Sequence, residues 1–423
     1  MPPFIGNMLQ IASRRSSNSN RCSHGKIPPA VETLDAHGDM MLLVGRQKCT
    51  DVSCGNERQN KQPNAKLFRV NSTVVAGASP AFGLALYSPS AETTKEDGVK
   101  WTVRLPDDDP QAMRIIIHIL YGYYPSTSLD EHIDLEQLLH LTVLADKYDL
   151  VHLFAKWAPR WVKDMEQYWV GKDFVRKSTE DLESLLWIFW VLGHEPLYTY
   201  MVLQIAFYCE LDAAGKLTDP AEQLCFTNDD VPVPPCAFVE VGHVRIEVLK
   251  IIHKDIKETL EEHLHGSQRG NWRLRCRRMD GGDDWGWRHS VFESFVEMLE
   301  AEGIWPLPSA YTLTASPRSL VEMFRVHPNI PSFIHHHNGR FCDADGTFWK
   351  RIEKLLREVR FTLPDASAKH LHEQSLKSEL GIYFKLSSTG SDHRSNKGHW
   401  NLIEILEFQD IIAERESARD GWT

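Results

Sequence analysis

Long hydrophobic runs are missing from the chain. Its most apolar window, SLLWIFWVLGHEPLYTYMVLQIAFYC (Ser184 to Cys209), is interrupted by Gly193, His194, Glu195 and Pro196. Neither half reaches the roughly 18 residues of a membrane span, so two buried helices joined by a turn are expected there. Cysteine is sparse as well. The eight residues, at 22, 49, 54, 209, 225, 236, 276 and 342, are scattered through 423 positions. They read as reduced thiols of an intracellular protein in the cytoplasm or nucleus, not as a disulfide framework. Basic excess is lacking too: net charge is −11 and pI about 6.0, which argues against nucleic acid or an anionic membrane as partner of the whole chain. No internal repeat stands out.

Acidic residues are absent from the first 31 positions, which carry Arg14, Arg15, Arg21 and Lys26 among serines. A disordered basic tail over 1–35 is expected. A mitochondrial transit peptide shares that composition, but Pro2 and Pro3 disfavour its amphipathic helix. Catalytic signatures are also missing. The chain holds no Gly-x-Ser-x-Gly elbow, no phosphate-binding loop, no His-Glu-x-x-His and no dinucleotide fingerprint. No enzyme activity, catalytic residue or cofactor is therefore expected.

What is present starts with three aspartates. In LPDDDPQAMRIIIHILYG (Leu105 to Gly122), Asp107, Asp108 and Asp109 precede an apolar run. Upstream, VKWTVRL alternates Val99, Trp101, Val103 and Leu105 with Lys100, Thr102 and Arg104, the period of a half-buried strand. Downstream, Met113, Ile116, Ile117, Leu120 and Tyr121 share one face of a helix. Pro110 suits the first helical position and Asp109 the N-cap, worth roughly 1 kcal/mol. Asp107 and Asp108 are expected on the helix's positive end, leaving nothing that requires a metal.

The neighbours follow the same logic. GDMMLLVG (Gly38 to Gly45) and KLFRV (Lys66 to Val70) read as strands around a polar insertion at about 45–65, where Cys49 and Cys54 could ligate zinc but, with no second pair nearby, are expected as free thiols. SPAFGLALYS opens with Ser79 as cap and Pro80 in the first turn of a short helix presenting Phe82 and Leu86. In DLEQLLHLTVLADKYDL, Asp134 with Gln137 forms a capping-box variant ahead of Leu135, Leu138, Leu139, Thr142 and Ala145. Leu150, Phe154, Trp157 and Trp161 follow, with Pro159 kinking or splitting their helix. This is an α+β order.

GDMMLLVG, FRVNSTVVAGASPAF, VRLPDDDPQAMRIIIHILYG and LHLTVLADKYD resemble, in order and spacing, successive signatures of the BTB/POZ domain in its filamentous-fungal form. The resemblance covers about residues 36–163. It implies a small sheet capped by helical hairpins, protein binding, homodimerisation in many members, and in many recruitment of a cullin ubiquitin-ligase scaffold. Two departures matter. Asp39 is present, but Asn71 holds the position of the family's histidine, which alters any charged dimer-interface pocket. YSPSAETTKEDG also lacks a large apolar residue ahead of Glu92, where cullin recruiters carry an apolar-x-Glu step.

The remainder reads as mainly helical. A helical extension over 164–211 holds one helix capped by Ser178 and Asp181 and ended by Gly193, and a second from Pro196 to about Leu211. A Pro-rich linker spans 212–240 and a helical domain 241–385, which begins with Val244, Val248, Ile252, Ile256 and Leu260 on one side of a long helix. Further helices are expected near 290–302, 317–326, 347–360 and 401–418. A polar loop at 386–399 separates the last, which with its tail fills 400–423. RGNWRLRCRR holds five arginines and a tryptophan, but Asp280, Asp283 and Asp284 follow at once, so a self-paired solvated loop is expected. Cys276, His289, His337 and Cys342 would satisfy tetrahedral zinc if the fold gathered them, although the Cys-x12-His spacing is loose. No metal is expected. DADG (Asp343 to Gly346) fails as a calcium loop, because Lys354 stands where its bidentate Glu belongs.

The reading is a non-enzymatic adaptor or scaffold whose partners are other proteins, itself or a cullin scaffold, with no nucleic acid and no membrane. Its contact residues are expected at Phe82, Leu86, Tyr87, Asp39 and Asn71. A substrate adaptor of a cullin ligase and a zinc-supported helical binding domain are the alternatives.

Overall fold

The computed structural model describes residues 29–46, 65–87, 93–94, 101–123, 133–169, 178–218, 225–226, 231–265, 284–326, 334–337, 340–343, 352, 354–356 and 361–380. Among the described residues the chain is mixed α and β, with one five-stranded sheet and two two-stranded ones. It divides into two compact units: Met1–Pro125 with Lys147–Leu150, and Ser126–Asp146 with Val151–Thr423. That division differs from a module ending at 163, because the helices after residue 134 cluster with the later part of the chain.

The first unit holds a five-stranded sheet of β1 (Val31–Thr33), β2 (Met40–Val44), β3 (Lys66–Val70), β4 (Thr93–Thr94) and β5 (Trp101–Leu105), in the order β1-β3-β2-β5-β4. β2 lies antiparallel to β3, with Leu42 opposite Phe68, and parallel to β5, with Leu42 opposite Val103. Its near-continuous apolar run suits a strand covered on both faces: Met40, Leu42, Leu43 and Val44 are all buried. β5 keeps its alternation, with Val103 and Leu105 inside. β1 is a correction. The sequence places residues 31–35 in the tail, yet Val31, Glu32 and Thr33 pair in parallel with Leu67, Phe68 and Arg69. A three-residue strand is too short to leave a periodic signal.

Helices α1 (Ser72–Gly77) and α2 (Pro80–Tyr87) form a hairpin after β3, and α3 (Pro110–Leu120) follows β5. Asp109 caps α3, accepting from the Gln111 and Ala112 amides at 2.9 and 2.7 Å. The buried face of α3 is wider than the predicted stripe. Ala112, Ile115 and Ile119 join Met113, Ile116 and Ile117, while Leu120 and Tyr121 are only half-buried.

The second unit is helical. α4 (Leu135–Lys147, its last residue counted with the first unit) is capped by Asp134, which accepts from the Gln137 amide at 2.7 Å. A 3₁₀ turn (Val151–Phe154) then separates α4 from α5 (Ala158–Trp169), so Pro159 sits in a first turn, where it removes no helical bond. α6 (Thr179–Leu192) starts on a reciprocal Ser178–Asp181 capping box and ends at Gly193. α7 (Glu195–Tyr208) turns back against it. The expected linker at 212–240 is partly regular: β6 (Glu210–Leu211) pairs with β7 (Leu217–Thr218), and α8 (Ala237–His265) begins before residue 241. The stripe Val244, Val248, Ile252, Ile256 and Leu260 is buried as expected. α9 (Asp284–Ala301), α10 (Pro317–Val326), the hairpin of β8 (Ile334–His337) and β9 (Arg340–Asp343), and α11 (Asp365–Lys377) complete the described elements. The expected helix at 401–418, the loop at 386–399 and the arginine-rich segment lie outside the described residues, as does most of 347–360.

Gly193 shows why α6 stops where it does. Its φ of +76° is left-handed, and a Cβ there would meet the Ser375 backbone nitrogen of α11 at 2.2 Å and the Leu371 carbonyl oxygen at 2.6 Å. Only glycine satisfies both demands.

Candidate functional site

In the first unit the aspartates diverge. Asp107 reaches Arg46 at 2.6 Å on the surface. Asp109 is the helix cap. Asp108 departs from its expected place: it is buried and accepts hydrogen bonds of 2.5 Å from Lys147 Nζ and from the Tyr148 hydroxyl. Burial, then the Asp108 charge, push the Tyr148 hydroxyl well above its ordinary pKa. The Tyr148 ring in turn stacks on Phe82 at 4.3 Å. Ser79 Oγ donates to the Tyr148 carbonyl and accepts from the Phe82 amide. Asp108, Tyr148 and Phe82 are thus a post under the α1–α2 hairpin, and no acid–base pair or metal cluster arises from the triplet.

Asp39 and Asn71 are brought together and used internally. Asp39 accepts from the Ser72 amide at 2.8 Å and from the Ser72 hydroxyl at 2.7 Å, and the amide bond in particular holds its carboxyl below the usual range. The Asn71 side chain caps α1, accepting from the Thr73 and Val74 amides, while the Asn71 backbone N–H donates to the Tyr121 hydroxyl at 2.6 Å. Burial raises the Tyr121 pKa, as do the nearby Asp35 and Asp39 charges. Their described bonds are those of a brace between the start of β2, α1 and the end of α3.

Phe82 and Leu86 are corrected by the coordinates. Both are fully buried, so neither offers area to a partner. The open face of α2 carries Pro80, Leu84 and Tyr87, at i, i+4 and i+7. Leu84 is 70% exposed and Tyr87 56%, while Val74 on α1 is 38% exposed. Tyr87 leans on Trp101 of β5, ring centroids 5.1 Å apart, which steadies the end of the stripe. Of the five expected contact residues, only Tyr87 presents a large apolar surface. Leu84 was missed because α2 is apolar nearly all round, so its sequence has no contrast between faces.

The second unit carries two charged groups inside on one helix. Glu240 on α8 is buried, accepting from the Tyr198 hydroxyl at 2.7 Å and the Ser367 hydroxyl at 2.5 Å. Burial raises the Tyr198 pKa far above its ordinary value, and the Glu240 charge adds to that. Five residues on, Arg245 is also buried. Its Nη2 donates to the carbonyls of Leu313, Thr314 and Ala315 at 2.8, 3.0 and 2.8 Å, and its Nε to Cys209 at 3.2 Å. Both escaped notice in the sequence, although Arg245 falls inside the apolar stripe, four residues after Val241 and three before Val248. Buried His194 caps α7 through Nδ1, which accepts from the Leu197 amide, and desolvation lowers its pKa to about 3.

Of the zinc candidates, Cys276 lies outside the described residues, as does the side chain of His289. The β8–β9 register pairs His335 with Cys342 and His337 with Arg340. Among the described residues, no three or more His, Cys, Asp or Glu side chains gather as a metal would need. No helix among them is long and apolar enough to cross a membrane. Set against protein-family models, curated proteins and solved structures, the chain matches none.

Proposed function

We propose that the chain is a non-enzymatic adaptor or scaffold that docks another protein through a BTB/POZ-like module in its N-terminal part. The observation that carries this reading is the α1–α2 hairpin. Its inner face is fixed by Phe82, Leu86 and the Asp108–Tyr148 post, while Pro80, Leu84 and Tyr87 leave an apolar stripe in solvent. Apolar side chains aligned on a braced scaffold favour association, because their burial recovers about 25 cal/mol per Å² while little ordering entropy remains to be lost. The stripe would be the centre of a patch of about 800 Å² on each partner. The succession of strands and helices that resembles BTB/POZ signatures supports the same reading.

The test is the double substitution Leu84→Asp with Tyr87→Asp. Both positions are exposed, so the melting temperature should stay within a few degrees of the parent. Proteins co-purifying from native cells, or the dimer mass in light scattering if the partner is a second copy, should be lost. An unchanged set of co-purifying proteins together with an unchanged mass would overturn the proposal.

A further inference from the structure

Helix α11 is held onto α6, α7 and the 3₁₀ turn by an unusual face. Its buried positions are Ser367, Leu371, Gln374 and Ser375, with Ser378 just beyond the last turn. Only Leu371 supplies large apolar area. The rest of the fit is specific but thin: the Ser367 hydroxyl bonds Glu240, the Ser378 hydroxyl bonds the Leu192 carbonyl at 2.7 Å, and the α11 backbone rides directly on Gly193. Buried Leu363 and Leu380 anchor the flanks, but the helix ends themselves are weakly fixed. Pro364 gives no side-chain cap, and Glu379, just past the helix, has a left-handed φ of +59°, which costs a non-glycine residue about 1 kcal/mol. Such an element opens locally before its surroundings do.

One side chain makes that opening sensitive to protons. The His370 ring lies flat on Trp190 of α6, with centroids 3.9 Å apart and planes 11° apart. Its Nε2 is buried and has no hydrogen-bond partner. The ring also bonds the Trp190 backbone, so the neutral imidazole is satisfied on one side and leaves only the Nε2 lone pair unpaired on the other. A proton added to Nε2 would place an unpaired N–H donor and a charge inside the contact. The charged groups around it do not relieve this. On α11 itself Glu373 and Lys377 oppose one another. From α6 the Trp190 ring lies against it; Tyr198 of α7, beside Trp190, has its hydroxyl committed to Glu240 of α8; and the 3₁₀ turn packed on α11 carries His152, which is exposed.

We propose that α11 is a proton-released latch, docked while His370 is neutral and let go as the imidazole takes up a proton. Desolvation by burial lowers the proton affinity of the docked ring. The open ring keeps an ordinary affinity near pH 6.5. Docking is therefore at full strength above about 6.5 and weakens as pH falls below it. Release uncovers Trp190, Gly193 and the Glu240 carboxylate.

Hydrogen exchange on the full chain, corrected for intrinsic rates, tests this at pH 7.5 and 5.5. Protection of residues 365–377 should fall by up to about tenfold at the lower pH, the ratio set by an open-state imidazole near 6.5. Protection of α6 and α8 should fall by less. His370→Phe, which keeps the stack and cannot titrate, should hold α11 protection constant between the two pH values, as should His370→Gln. Equal loss in these variants, or loss spread evenly over the whole second unit, overturns the proposal. If both variants leave α11 unprotected at pH 7.5, the parent His370 ring decides by NMR titration: a midpoint well below 6.5 supports the latch, and an ordinary one near 6.5 overturns it.

Discussion

The first unit keeps most of its ions at the rim, where Arg46 meets Asp107 and Arg114 meets Glu32, whereas the second takes Glu240 and Arg245 into its interior along one helix. Even Asp108, the buried acid of the first unit, is answered by a Lys147 that stays half in solvent. In the second unit neutral groups do the answering: hydroxyls for the carboxylate, main-chain carbonyls for the guanidinium. The difference is one of consequence. A rim pair can be lost to water, but an interior charge holds its neighbours hostage, because removing it leaves desolvated dipoles with nothing to bond.

Three measurements sharpen or break this contrast. Arg245→Met fills similar volume but strands four carbonyls, so urea denaturation should show a loss of about 3 kcal/mol in the second unit. A loss below about 1 kcal/mol would mean that the cage is dispensable. Next comes pH. His194 has a folded pKa of about 3 and an unfolded one near 6.5, so the unfolded chain binds the extra proton between those values. Stability should be flat above about 6.5 and fall by about 1.4 kcal/mol per unit as pH drops toward 3. His194→Asn, which can still cap α7, should flatten most of that slope, read from urea midpoints across pH. The smallest effect belongs to the rim. Asp107→Asn should cost about 0.3 kcal/mol and lose even that in high salt, since both partners of its ion pair are more than half exposed.

Legibility in the sequence tracked contrast. β5 and the long α8 stripe were readable because apolar residues alternate or recur on one face, β2, β3 and the α6–α7 pair because their apolar runs are bounded by polar residues, glycine or proline, and the Asp109 cap because it stands where a run begins. α11 was not, since its buried face is made largely of serines and glutamine and so carries no hydrophobic period. Asp108 looked like its neighbours because its partners, Lys147 and Tyr148, lie some forty positions away. Arg245 needed carbonyls from a loop nearly seventy residues on. Within the candidate site, Tyr87 was found and Leu84 was not: in PAFGLALY both faces of the helix are apolar, and only the hairpin's packing decides which one faces water.

The short strand at Val31–Thr33 sets a practical limit on where the chain can be trimmed. A shortened protein beginning at residue 36 would strip β1 from β3 and bare a row of main-chain donors and acceptors along an apolar sheet, an invitation to edge-to-edge aggregation. It would also leave Arg114 and His118 without Glu32. Starting near residue 29 keeps three-residue β1 as a short edge strand over β3, and recombinant versions of this module should be cut there.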